Sequence, residues 1–423
     1  MAEPRPIDLT LVEDEQDSGH DPGSAPGGPP RRQHGDLVLA PVSPEPSVRR
    51  SWPRRPPPGA MWLGVLSFGV ILVLVLLVSL QGSPVAAPPP VVVVSTPYWN
   101  VAHAGTAVLG QRQDVSEVSP SIYAIDAAGD ITDQYAPGAA AATQASLAQL
   151  RKAGLKLVPT VANVVNGGFT YQPLAGILHD PARAAHNIAA ILALVQRQNY
   201  AGIDIDYENL HSGDRQAFTD FITQLADTLH AHGKTLSVTL FAKASDAGYD
   251  QRNVAQDYAA IGKVADEVRL MGYDYHWAIS APGPIAPVNW IQDVLRYAVG
   301  QIAPSKIILG IPMYGYDWVD GHGTPVAWLQ AFRLANQYHA QIQFDAASQT
   351  PWFSYTDAKG QYHVVWFENA ASATAKLDVA RNEAIGGVYL WLYGYEDTNV
   401  WSALHQSFPI SKPASATTGG GTP

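Results

Sequence analysis

The chain has 423 residues, 47% of them hydrophobic, a formal net charge of −11 and no cysteine. That length and apolar content allow one large folded unit or two ordinary ones, and the cysteine count excludes disulfides, thiol nucleophiles and zinc-thiolate sites. The charge is spread thinly, with no basic block beyond the N-terminal region, which excludes nucleic acid as a partner.

Residues 1–60 are rich in Pro, Gly, Arg and acids and lack periodic apolar sequence, so they read as a disordered cytoplasmic tail. Residues 61–80, MWLGVLSFGVILVLVLLVSL, are uncharged and apolar. At ~1.5 Å per residue such a helix spans ~30 Å, the hydrocarbon thickness of a bilayer. Arg49, Arg50, Arg54 and Arg55 precede it and the next basic residue is Arg112, which predicts an uncleaved plasma-membrane anchor with its N-terminus in the cytoplasm and the remainder extracytoplasmic. Residues 81–90 read as a Pro-rich linker and 411–423 as a flexible tail.

Between them, eight short runs rich in Val, Ile and aromatic residues begin at Val91, Ser119, Leu155, Ala201, Thr235, Glu267, Lys306 and Gly386. Helical periodicity fills the gaps, as in 181–198, 214–233 and 289–302. Eight alternations predict an α/β chain folded as a (β/α)8 TIM barrel over residues 91–410. An open doubly wound sheet is the alternative, but no glycine-rich phosphate loop follows the first strand. The gap from the seventh strand to the eighth is too long for one helix. It contains PWFSYTDAKGQYHVVWFEN, two β-rich runs around a turn, and predicts a small α+β insertion at about 318–372 between strand 7 and helix 7.

The fourth run, AGIDIDYE, places Asp204, Asp206 and Glu208 on one strand face and Ile203, Ile205 and Tyr207 on the other. Three readings stand: a solvated polar face, a divalent-metal site of D-x-D type, or crowded carboxylates that retain a proton for acid catalysis. Parallel barrel strands are covered on both sides, which disfavours the first, and no basic partner lies close in sequence. No histidine spacing suggests a metal centre and no cofactor is implied.

GIDIDYE resembles the D-G-x-D-x-D-x-E signature of glycoside hydrolase family 18, the chitinase-like barrels. MGYDYHW resembles that family's M-x-Y-D element, and GVYLWLYG its eighth strand. Longer stretches are similar to the branch of spore-germination and spore-cortex peptidoglycan N-acetylglucosaminidases. The resemblance implies a retaining, substrate-assisted hydrolase of β-1,4 bonds in an N-acetylated glycan, peptidoglycan foremost, with chitin hydrolysis or glycan binding without cleavage as alternatives. It implies Glu208 as general acid and base, Asp206 on the acetamido N–H, Asp204 behind it sharing a proton, and Tyr273 on the acetamido oxygen. Met271 and Asp274 would shape the pocket and Trp391 its floor. The signature's first aspartate is Ala201 here, which predicts a missing inner partner for the acidic row and a shifted pH optimum. Tyr98, Trp99, Tyr123, Asn163, Lys243, Tyr314 and Trp318 stand near predicted strand ends and are candidate sugar contacts.

Overall fold

The structure, a computed structural model, describes residues 90–247 and 250–410. The expected tail, anchor and C-terminal segment at 1–60, 61–80 and 411–423 lie outside the described residues, as does the linker up to residue 89. Among the described residues, no helix is long and apolar enough to cross a membrane.

Parallel strands Val91–Pro97, Glu117–Ile125, Thr160–Ala162, Gly202–Asp206, Thr235–Phe241, Glu267–Met271, Ile307–Pro312 and Gly387–Trp391, here the first to the eighth, form the centre. Each pairs with its sequence neighbour, and the eighth pairs with the first, Val92 opposite Val388, so the sheet closes into a barrel. Closure replaces the open-sheet alternative and leaves no strand edge at the centre of the molecule. The third strand is interrupted: a shorter piece, Lys156–Leu157, precedes Pro159, which has no N–H to give to a ladder.

Alternation along the strands sorts the side chains as expected. Ile203 and Ile205 are fully buried in the outer core with Ile188, Ile191 and Leu194 of helix Pro181–Arg197 and Phe218, Phe221 and Leu225 of helix Arg215–His230. The first of these helices starts on Asp180, whose carboxylate accepts from the Ala182 and Arg183 N–H groups ahead of Pro181 at the first turn. Gly202 allows the fourth strand to lie close to the fifth, since a Cβ there would stand 2.3 Å from the Thr235 carbonyl oxygen.

The insertion is a five-stranded antiparallel sheet, Tyr314–Val319, His322–Ala327, Gln343–Asp345, Thr350–Thr356 and Tyr362–Phe367, with helix Trp328–Gln337. The two β-rich runs around Asp357 to Gly360 pair as expected. The boundaries differ from expectation. The barrel strand ends at Pro312 and Tyr314 already pairs with Ala327, so the insertion starts before residue 318, and its last strand ends at Phe367. Main-chain hydrogen bonds tie it down, Gly323 N–H to the Ala278 carbonyl (2.6 Å) and Trp328 N–H to the Tyr395 carbonyl (3.0 Å).

Candidate active site

A cleft of about 540 Å³ is lined by residues from the C-terminal ends of the barrel strands and the loops that follow them. Asp206, Glu208, Met271, Tyr273, Asp274 and Trp391 line it together with Tyr98, Trp99, Tyr123 and Tyr314. This is the face on which parallel barrels assemble sites from several strands.

Asp204 lies one layer below, 1% exposed. Its carboxylate accepts from the Thr160 hydroxyl (2.9 Å) and the Thr239 hydroxyl (3.0 Å), and Arg269 Nη1 stands 3.8 Å away. Arg269, 2% exposed, donates to Glu117, to Glu267 (3.2 Å) and to the Ser119 hydroxyl (2.7 Å). Burial and the neighbouring Glu267 push the Glu117 carboxyl up to about 8 despite that cation. The basic partner missing from the local sequence is therefore present, two strands away. It carries the acidic row on a buried polar layer in which one guanidinium faces three acids.

Ala201 does not interrupt this layer. It precedes the strand and, three residues from Asp204, belongs to the opposite face. Its main chain pairs with Leu157 and Thr235. The expectation that its side chain leaves the row without an inner partner is corrected: Thr160, Thr239 and Arg269 fill that role.

Glu208 follows the strand, and its main chain is held at both ends by Asn163. Asn163 Oδ1 accepts the Glu208 N–H at 2.8 Å and Asn163 Nδ2 donates to the Glu208 carbonyl at 2.9 Å. Burial pushes the Glu208 carboxyl up to about 8, with Asp274 adding to the rise and Arg252 opposing it. Burial raises Asp206 well above the carboxylate range, with Glu208 and Asp204 adding repulsion. The pair holds a proton at neutral pH for a physical reason, two acids sharing little water. Asp206 lines the cleft, and its Oδ1 is buried with no hydrogen-bond partner among the described residues.

Opposite stands Asp274, in left-handed backbone at φ 56°. It accepts from the hydroxyls of Tyr314 and Tyr316 (3.2 Å for the latter). Burial raises it to about 6 against the pull of these two hydroxyls. The hydroxyls of Tyr273 and Tyr389 meet at 2.8 Å, and the Tyr273 ring stacks on Trp391 with centroids 6.1 Å apart and planes at 14°. Gly310 makes room for the Tyr389 ring, because a Cβ there would lie 2.5 Å from it.

Not every expected sugar contact reaches the cleft. Asn163 is fully buried behind Glu208, Trp318 is buried and donates its indole N–H to the Trp277 carbonyl (3.2 Å), and Lys243 is buried beneath a short helix. Tyr123 lines the cleft, but its hydroxyl is bonded to that of Tyr200 at 2.8 Å. Tyr389 and Arg252 also line the cleft and were not singled out from sequence. Tyr389 was findable, being two residues from Trp391 on the same strand face; Arg252 carries no local signal. Among the described residues, no cluster of His, Cys, Asp and Glu has the form of a metal site.

A closed (β/α)8 barrel with a crowded acidic pair and an aromatic floor at its C-terminal mouth defines the class of the molecule. The chain belongs to the family Glycosyl hydrolases family 18, whose profile matches residues 117–396. It is 33% identical over 265 residues to the cortical fragment-lytic enzyme of Bacillus cereus, covering 61% of either chain. It thus spans about three fifths of the length of the curated relatives of that name. Among solved structures, the chitinase of Chromobacterium violaceum ATCC 12472 is similar with a TM-score of 0.70 and 30% identity, over 76% of this chain and 100% of that one. The Bacillus cereus spore cortex-lytic enzyme SleL is similar with a TM-score of 0.70 and 26% identity, over 77% and 76%.

Proposed function

We propose that the chain is a retaining glycosidase that hydrolyses β-1,4 bonds of an N-acetylglucosamine-containing glycan, peptidoglycan foremost, with assistance from the substrate. The observation that carries this reading is the Asp206–Glu208 pair: both acids raised by burial, and one Asp206 oxygen unpaired. Glu208 gives its proton to the glycosidic oxygen as the bond to the anomeric carbon breaks, and the substrate's acetamido oxygen forms the new bond to that carbon. Asp206 accepts the acetamido N–H and offsets the positive charge that develops. Tyr273 donates to the acetamido oxygen, and Trp391, already stacked with Tyr273, forms the apolar floor. The Glu208 carboxylate then takes a proton from the water that opens the cyclic intermediate. Met271 and Asp274 line the same pocket. Asp204 takes no part in bond making; its hydroxyl donors and Arg269 suit it to hold the floor charge beneath Asp206.

Relatives named as cortical fragment-lytic and spore cortex-lytic enzymes support the wall polymer as substrate. The similarity to a chitinase over its whole chain favours a second reading, hydrolysis of chitin or its oligosaccharides. The apolar run at 61–80 supports a plasma-membrane anchor that holds the barrel outside the cell, beside the wall.

The test is mass spectrometry of purified peptidoglycan and of chitohexaose, each digested by the full chain and by its Glu208→Gln variant. Fragments ending in reducing N-acetylglucosamine, absent with the variant, are expected. Cleavage of chitohexaose alone would select the second reading, and no product from either polymer would leave a barrel that holds glycan without cutting it.

A further inference from the structure

The cations that line the cleft are Arg252 and Arg269. Arg269 is buried among acids. Arg252 is different: its side chain is 38% exposed, Nε and Nη2 both donate to Asp250 Oδ2 (2.9 and 2.5 Å), and Nη1 has no partner among the described residues.

Its position is unusually well prepared for a surface arginine. Arg252 sits on the short helix Gln251–Ala255, whose first N–H groups meet the Asp250 carboxylate. Lys243, fully buried, donates to the carbonyls of Asn253 (3.0 Å) and Gln256 (2.5 Å), while Arg215 Nη1 donates to that of Val254 (2.6 Å). Two cations thus pin the helix backbone from below. The Phe241 ring faces the guanidinium at 5.4 Å. A planar fork held on two sides loses little freedom when it takes up a ligand.

For a neutral glycan this arrangement is counterproductive, because the positive charge opposes the proton on Glu208. For an acidic glycan it supplies a countercharge at the cleft wall. The chain carries a net −11, Asp206, Glu208 and Asp274 line the same cleft, and the Arg269 guanidinium is taken up by buried acids, so Arg252 is the lining cation with an edge left for an incoming carboxylate.

We propose that Arg252 is a specificity residue: its Nη1 edge takes a carboxylate carried by the glycan beside the scissile bond, so that the cleft selects an acidic N-acetylated glycan over a neutral one. This rests on the glycosidase reading above. The carboxylate comes either from a lactyl ether on the sugar or from a peptide attached to it, and the ligand set separates the two.

Binding is measured by calorimetry on the full-length Glu208→Gln protein, with and without Arg252→Gln. The ligands are hexasaccharides alternating N-acetylglucosamine and N-acetylmuramic acid, with the lactyl group as free acid, as neutral methylamide, or extended by a peptide ending in a carboxylate. The expected result is about tenfold tighter binding of one acidic ligand than of the methylamide, with that ratio falling to near one in the Arg252→Gln variant. Equal affinities for acid and methylamide, a ratio that survives the substitution, or binding of none of the three would overturn the proposal. Turnover of the same ligands by the chain with Glu208 intact is scored separately. Hydrolysis without charge preference leaves the glycosidase reading standing, whereas charge preference without hydrolysis removes that reading and keeps the carboxylate site.

Discussion

Asn163 and Glu208 form a closed main-chain clamp, with the amide of one side chain satisfying both the N–H and the C=O of the other residue. Removing it strands two backbone groups behind the acid. Asn163→Ala is expected to cost about 2–6 kcal/mol of stability, at about 1–3 kcal/mol for each of the two buried groups left unpaired. The Glu208 carboxyl would also lose its fixed position, so kcat should drop about 10- to 100-fold with a smaller change in KM. Thermal unfolding and steady-state kinetics on one substrate check both parts.

Glu208 itself yields two predictions of opposite sign. Glu208→Gln should lower kcat by about 10²–10⁴, the range for a lost general acid. It should also stabilise the fold at higher pH. The folded carboxyl titrates near 8, above its ordinary 4.5, so between those values the folded state binds more protons than the unfolded one and stability falls as pH rises. The glutamine variant lacks that loss. Denaturant midpoints from pH 5 to 8.5 should decline less steeply in the variant, whereas parallel curves would contradict the raised carboxyl. The same titration sets the activity profile, with rates falling as pH passes about 8 and Glu208 loses the proton it donates.

Arg269 faces three acids of one buried layer, Glu117, Asp204 and Glu267. Arg269→Met should destabilise by about 3–5 kcal/mol, the usual cost of leaving buried acids without their cation. Adding Glu117→Gln removes one of those acids, so the double variant should recover part of the loss. A double-mutant cycle of unfolding free energies measures the recovery.

Gly310→Ala puts a methyl group against the Tyr389 ring and 2.8 Å from the Leu270 carbonyl oxygen. The ring must move, and with it the partner of the Tyr273 hydroxyl. Activity should fall more than in Tyr389→Phe, which keeps the ring in place and removes only the hydroxyl contact. Kinetics of the two variants side by side decide it.

Ala201→Asp should leave both limbs of the pH profile where they are, because that side chain belongs to the strand face away from Asp204. Displacement of either limb would show that the inner layer extends to residue 201.

The row Asp204, Asp206, Glu208 was legible because a strand's period of two puts alternate residues on one face, and the barrel because eight such runs alternate with helices. Arg269 was not legible. Its distance from Asp204 along the chain hides a contact created only when the fourth, fifth and sixth strands lie side by side. Asn163 stands near a strand end, a position that does not say whether a side chain faces the cleft as a sugar contact or the backbone behind it. The start of the insertion is hidden in the sequence for a related reason: MYGY continues the β-rich pattern of the seventh strand, and only pairing with Ala327 shows that Tyr314 has changed sheets.

That change of sheet has a practical meaning for anyone recombining barrels of this kind. Tyr314 and Tyr316 belong by hydrogen bonding to the inserted sheet, yet their hydroxyls are what hold Asp274 in the loop after the sixth strand. An exchange of the insertion cut at residue 314 would export part of the pocket with the wall, and the recipient barrel would inherit an aspartate stripped of both donors. A cut after residue 316 keeps the chemistry with the barrel and leaves the wall free to vary.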